Sequence, residues 1–158
     1  MTDPTPPDPD AIRLERTVGA RAEAVFDAWL APEVLRRWWP AGADWETPVA
    51  EVDPRVGGHL RLVMRSPDGE KFGGSGEYLE LKRPMRLVFT WTWDGHEGHE
   101  GTQVIEVDFD QRADGSTQVV VTNRGLPDEE SKRSHREGWE ASLDNLDLAL
   151  AQRTGGRE

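Results

Sequence analysis

The chain has 158 residues, a length that suits one domain of ordinary size with a sizeable core. Its formal net charge of −11 argues against binding to nucleic acid or to an anionic membrane surface, because phosphates would repel it. The absence of cysteine excludes disulfides, thiolate catalysis and cysteine-ligated metal centres.

Both ends of the chain are polar. The N-terminus, MTDPTPPDPD, has neither the basic nor the apolar region of a signal peptide, and its prolines and aspartates predict a disordered tail over residues 1–10. The stretch QRTGGRE predicts a frayed tail over 152–158. No apolar run approaches the ~18 residues that span a membrane. We therefore predict a single cytoplasmic domain over 11–151, and the arginine-rich, lysine-poor composition points to a bacterial source.

The first predicted elements are a strand and two short helices. Alternating side chains predict the strand over residues 12–18. Over residues 21–30 the apolar side chains adopt a helical spacing, which predicts an amphipathic helix. A second short helix starts at Pro32, because proline is favoured in a first turn. Its Trp38 suits packing of the short helices on a sheet, whereas Trp39 suits either that packing or the cap of a cavity.

Residues 47–123 predict a β-meander of about six strands. Turns rich in Gly, Pro and Asp separate runs in which apolar and polar residues alternate. The sets that face one side are Leu60, Leu62 and Met64; Leu87, Phe89, Trp91 and Trp93; Ile105, Val107 and Phe109; and Thr117, Val119, Val121 and Asn123. Such one-sided strands are typical of an antiparallel sheet with one face in water, so the apolar face needs a cover.

A long helix predicted over residues 128–151 supplies this cover. Apolar side chains at i, i+4, i+7 and i+11 form one stripe, and three acidic residues crowd the first turn, where the helix dipole favours them. The stripe consists of Trp139, Leu143, Leu146 and Leu150. The simplest packing lays this helix across the concave face of a curved sheet.

The order of elements and three stretches of sequence resemble the START-like (SRPBCC) superfamily, and within it the AHSA branch, named after an activator of a heat-shock chaperone ATPase. The stretches are VFDAWLAPEVLRRWW at 25–39, GEYLELKRPMRLVFTWTW at 76–93 and GWEASLDNLDLAL at 138–150. The resemblance implies an α+β helix-grip fold, in which a seven-stranded antiparallel sheet grips a C-terminal helix around a cavity. It also implies apolar small-molecule ligands such as lipids, sterols, polyketides or quinones.

The candidate ligand-binding residues are those expected to face this cavity. They are Trp39, Leu62, Met64, Phe89, Trp91, Trp93, Val107, Val121, Asn123, His135, Trp139 and Leu143. The apolar members suit core packing or a cavity wall, since ligand pockets are lined mainly by such side chains. Asn123 suits a strand end or a polar anchor. His135, one turn before Trp139, suits a surface position or a hydrogen-bonding or acid–base group in the pocket.

The predicted function is binding of an apolar or aromatic small molecule, lipid-, polyketide- or quinone-like, without a cofactor. One alternative is a cofactor-free cyclase or aromatase acting on a polyketide-like substrate, and a weaker one is a co-chaperone-like protein-interaction module. The sequence has no convergent acid–base pair and no nucleophile motif, so we favour binding over catalysis. A homodimer is left open as the oligomeric state.

The stretch DGHEGHEG at 94–101 nearly spells the metal signature H-E-x-x-H. Its glycines disfavour a helix and its histidines are three residues apart rather than four, so we predict no metal site. Strand counting places the turns at 66–71, 94–101 and 124–130 at one end of the sheet, together with the start of the long helix. We therefore predict the cavity mouth at this end, beside a loop whose His96 and His99 respond to pH.

Overall fold

The computed structural model describes residues 10–39, 44–94 and 102–155, with side chains through residue 150. The elements are β1 (Ile12–Val18), α1 (Ala22–Ala28), α2 (Pro32–Trp38), β2 (Glu46–Val52), β3 (His59–Arg65), β4 (Lys71–Lys82), β5 (Arg86–Trp93), β6 (Gln103–Gln111), β7 (Thr117–Arg124) and α3 (Glu129–Gly155). The strands form one seven-stranded antiparallel sheet in the order β1-β7-β6-β5-β4-β3-β2. The predicted α+β helix-grip fold is confirmed.

The inner face of the sheet is held in register by apolar side chains at alternate positions. Val107 in β6 pairs directly with Leu87 in β5 and with Val121 in β7, and all three are fully buried. A slip of one residue would turn this row towards water, so the alternation seen in the sequence fixes the pairing.

The outer face of the sheet is polar and carries cross-strand ion pairs. Arg86 contacts Asp108 at 2.9 Å and Glu80 at 3.3 Å, and Arg124 contacts Glu106 at 2.9 Å. Pairs of opposite charge on neighbouring strands suit a solvated face and contribute little individually. The apolar side chains of the strands are gathered on the other face of the sheet.

The helices cover the inner face. Trp38 is fully buried, and its Nε1 donates a hydrogen bond of 3.0 Å to the carbonyl of Ala28, which joins α2 to α1. Asp128 precedes α3 and accepts a hydrogen bond of 2.8 Å from the backbone N–H of Ser131, as a capping carboxylate does. Leu143 and Leu146 of α3 are fully buried in the core beneath the helix.

The C-terminal helix α3 extends further than the sequence predicted, whereas most of the N-terminal tail is not described. The predicted N-terminal tail, 1–10, lies outside the described residues except for Asp10. At the other end α3 continues to Gly155, into the stretch 152–158 that the sequence predicted as a tail, because residues 152–154 contain neither glycine nor proline. No helix in the described part of the chain is long and apolar enough to cross a membrane.

Tyr78 in β4 buries a hydroxyl group that makes no hydrogen bond with any described residue, and only 1% of the residue is exposed. Burial raises the pKa of this phenol well above its ordinary value. We expect Tyr78→Phe to leave the free energy of unfolding unchanged or to raise it by up to about 1 kcal/mol, since an unmet polar group is removed.

Urea denaturation would measure this change, and Thr117→Val is the matched control. The Thr117 hydroxyl is also buried, but it donates a hydrogen bond of 2.7 Å to the carbonyl of Ala20. The control should therefore lose about 1 kcal/mol. A loss of similar size in Tyr78→Phe would show that the phenol has a partner in solution.

Candidate functional site

A cavity of about 340 Å³ lies between α3 and the inner face of the sheet. Its lining comes from the ends of strands that meet beside the start of α3, as Met64, Phe72, Trp93, Gln103 and Asn123 show. This is the end of the sheet that strand counting predicted for the mouth. The stretch 94–101 lies outside the described residues beyond Asp94, so the predicted loop with His96 and His99 is not described.

The structure brings together eight of the twelve predicted site residues in the cavity lining. These are Trp39, Met64, Phe89, Trp91, Trp93, Asn123, His135 and Trp139. The other four are buried in the core and do not line the cavity: Leu62, Val107, Val121 and Leu143. They face the predicted side of the sheet or helix, but they pack within the hydrophobic core cluster.

The remaining lining residues were not among the predicted site residues, although Ile105 was placed in an inward-facing set. They are Trp45, Phe72, Gln103, Ile105, Ser134, Gly138 and Ser142. For most of them the spacing in the sequence indicates a position facing the cavity. Gln103 is two positions before Ile105 and so shares its face of β6, and residues 134, 138 and 142 recur every four positions along one face of α3.

Tryptophan rings form a continuous wall of the cavity. The ring centroid of Trp39 lies 5.6 Å from that of Trp91 and 5.7 Å from that of Trp139. Trp91 in turn meets Trp93 edge to face at 5.3 Å. Such contacts between aromatic rings are favourable beyond simple burial and hold each indole in one orientation. The wall is therefore rigid and mainly apolar, and its rings stand at steep angles to one another.

Gly74 in β4 makes room for this wall. A Cβ atom at this position would lie 2.5 Å from Cζ2 of Trp91 and 2.8 Å from the carbonyl oxygen of Thr92. The glycine thus allows the indole of Trp91 to lie directly on the neighbouring strand. Any larger residue at this position would displace the Trp91 ring.

A chain of hydrogen bonds runs along the polar end of the cavity. Trp139 Nε1 donates to Asn123 Oδ1 at 3.0 Å, and Asn123 Nδ2 donates to Gln103 Oε1 at 3.0 Å. Gln103 Nε2 then lies 3.4 Å from Nε2 of His135, and Trp93 Nε1 donates to the same nitrogen at 3.3 Å. Indole N–H groups only donate, so those of Trp139 and Trp93 fix the direction of every bond.

The tautomer of His135 follows from its other ring nitrogen. Nδ1 lies 2.9 Å from the carbonyl oxygen of Ser131, one turn earlier in α3, and a carbonyl can only accept. Nδ1 therefore carries the proton, and Nε2 presents a lone pair to Trp93 and Gln103. In this arrangement His135 acts as a hydrogen-bond acceptor at the cavity wall.

Two further indole N–H groups belong to the wall. Nε1 of Trp39 and Nε1 of Trp91 are covered from solvent and have no acceptor among the described residues. Each such donor costs about 1–3 kcal/mol relative to a hydrogen-bonded one. Unmet groups of this kind are rare in folded proteins, and here two occur on neighbouring rings of one wall.

The described residues contain no group of three His, Asp or Glu side chains placed to hold a metal ion. His135 lies instead against the rings of Trp93 and the amide of Gln103. Among the described residues, its surroundings are those of a hydrogen-bonded wall residue.

Comparison with solved structures first defines the class of fold. A protein from Chromobacterium violaceum aligns with a TM-score of 0.81 at 30% identity, over 89% of this chain and 96% of that one. The AHSA1 protein from Silicibacter pomeroyi aligns with a TM-score of 0.78 at 27% identity, over 90% and 99%. An AHSA1-like protein from Aeromonas hydrophila aligns with a TM-score of 0.74 at 30% identity, over 94% and 95%. The chain thus has the fold of the AHSA1-like proteins.

The family follows from the sequence. The family described as Activator of Hsp90 ATPase homolog 1-like protein matches residues 19–151. The chain belongs to this family, and the predicted membership of the AHSA branch of the START-like superfamily is confirmed. A comparison with curated proteins finds no match.

Proposed function

We propose that this protein binds an apolar, aromatic small molecule in the cavity between α3 and the sheet. The observation that carries the proposal is the cavity of about 340 Å³ walled by Trp39, Trp91, Trp93 and Trp139. Ligand sites are concave and mainly apolar, with a few polar groups that fix orientation, and this cavity has both features.

The chemistry of the polar end favours binding over turnover. General acid–base catalysis needs a group that exchanges a proton with the substrate. Nε2 of His135 already accepts from Trp93 and Gln103, and Nδ1 donates to the backbone of α3. Both nitrogens of His135 are thus engaged within the protein, and none of the described lining residues is an Asp or Glu that could act with it, which supports a binding protein rather than a cyclase.

Native mass spectrometry of the freshly purified full-length chain tests the proposal. We expect a species heavier than the chain by one small apolar molecule, which organic extraction releases for identification. We also expect added naphthalene, a simple aromatic probe, to raise the melting temperature, because a ligand that binds only the folded state stabilises it. A bare chain combined with an unchanged melting temperature would contradict the proposal.

A further inference from the structure

Two donors share one acceptor at the polar end of the cavity. Trp93 Nε1 and Gln103 Nε2 lie 3.3 Å and 3.4 Å from Nε2 of His135. Both distances exceed the usual range of about 2.7–3.2 Å. A neutral imidazole offers a single lone pair at this nitrogen, so the two N–H groups compete for it and neither bond is at full strength.

Trp93 is the donor that can turn to a ligand. It lines the cavity, is only partly buried, and stands at the end of β5 with its ring edge-to-face against Trp91. If its N–H moved to a ligand oxygen, the amide of Gln103 would no longer share the Nε2 lone pair of His135 with Trp93. The exchange therefore gives up one weak, shared hydrogen bond within the protein and gains one to the ligand.

The ligand oxygen must be neutral. None of the described residues that line the cavity is Lys, Arg, Asp or Glu. An ionised carboxylate would therefore be buried without a countercharge, which is strongly unfavourable. The net charge of −11 on the chain adds to this penalty.

The size and shape of the cavity restrict the rest of the ligand. Its volume of about 340 Å³ is near the lower end of the ~300–1,000 Å³ typical of ligand pockets. Its indole walls offer aromatic faces and edges, and both of these pack favourably against an aromatic ring. We infer that the cavity takes a compact aromatic compound with a neutral carbonyl oxygen, and that this oxygen accepts a hydrogen bond from the indole N–H of Trp93. The inference rests on the proposed function and names its ligand class.

Isothermal titration calorimetry with matched probes tests the ligand class. The probes are 2-acetylnaphthalene, which has a neutral carbonyl; 2-isopropenylnaphthalene, which has a CH₂ in its place; and 2-naphthoate, which is anionic. We expect the ketone to bind about tenfold more tightly than the alkene, as one good hydrogen bond allows, and the anion to bind most weakly.

Each other outcome has a distinct meaning. Equal binding of ketone and alkene would overturn the carbonyl inference while leaving the proposed function intact. Tighter binding of the anion would overturn the neutral acceptor. No binding by any of the three probes would overturn the inference and contradict the proposed function as well.

The role of Trp93 is tested by Trp93→Phe, which keeps an aromatic ring and removes the N–H. We expect the ratio of ketone to alkene affinity to fall from about tenfold to near one in this variant. The matched control is Trp29→Phe, which changes a buried tryptophan that does not line the cavity and should keep the ratio. A ratio that survives in Trp93→Phe would assign the hydrogen bond to another group.

A measurement on the unaltered chain tests the same hydrogen bond and does not depend on the variant folding correctly. The indole N–H signals of the seven tryptophans are resolved by ¹H–¹⁵N correlation spectroscopy, and that of Trp93 is the one absent from Trp93→Phe. We expect this signal to move downfield with 2-acetylnaphthalene and not with 2-isopropenylnaphthalene. Equal shifts with both probes would overturn the proposed hydrogen bond.

Discussion

Asn123→Leu should lower the free energy of unfolding by about 3 kcal/mol, although the two side chains are similar in size. Asn123 is 1% exposed and connects Trp139 to Gln103 through two buried hydrogen bonds of 3.0 Å. Leucine removes the acceptor of the indole and the donor to the amide at once, and each lost bond to a buried group costs about 1–3 kcal/mol. Urea denaturation of both proteins would measure the difference.

A double-mutant cycle assigns this loss to the hydrogen-bonded chain. Trp139→Phe removes the indole N–H, so Asn123→Leu should cost less in that background than in the unaltered chain. We expect a coupling energy of about 1 kcal/mol between the two positions. Additive effects, or a single-variant loss below about 0.5 kcal/mol, would show that the chain does not hold the polar end together.

The alternating pattern of the strands predicts which side chains face inwards but not how deep they lie. Leu62, Val107 and Val121 share faces with cavity-lining residues, yet they pack in the filled part of the core. Period-two alternation has the same form along the whole strand. Depth depends on sheet curvature and on the distance of α3 from each strand, which no local pattern records.

The polar end was partly predictable. Asn123 stood out because a polar side chain ends an apolar inward set, and His135 because it lies one turn before Trp139. Gln103 lies two residues before Ile105 in β6, so the same alternation places it on the inner face. Their joint hydrogen bonding is not predictable, because β6, β7 and α3 meet only in the folded sheet.

A pattern of small residues in α3 accounts for part of the unfilled volume of the cavity. Ser134, Gly138 and Ser142 repeat every four residues, and these small residues line the cavity beside the large Trp139. A helix face of small residues above a curved sheet leaves volume unfilled. An apolar stripe alone, such as that of Leu143 and Leu146, predicts burial and gives no indication of this gap.

Gly138→Leu should close the cavity and at the same time stabilise the protein. Gly138 lines the cavity from α3, and a Cβ atom at this position would meet no atom within 4 Å. A leucine side chain can therefore extend into the open volume without a clash. Replacing glycine by leucine inside a helix should also raise the free energy of unfolding by about 0.5–1 kcal/mol.

Loss of binding together with a gain in stability separates a ligand site from a packing defect. We expect Gly138→Leu to weaken binding of 2-acetylnaphthalene about tenfold to a hundredfold, measured by calorimetry, because the added atoms occupy the ligand's volume. Glu140→Leu places the same side chain on the exposed face of α3 and should leave binding unchanged. Unaltered affinity in Gly138→Leu would locate the probe outside the cavity. A lower stability in that variant would mean that the space beneath Gly138 is already filled in solution.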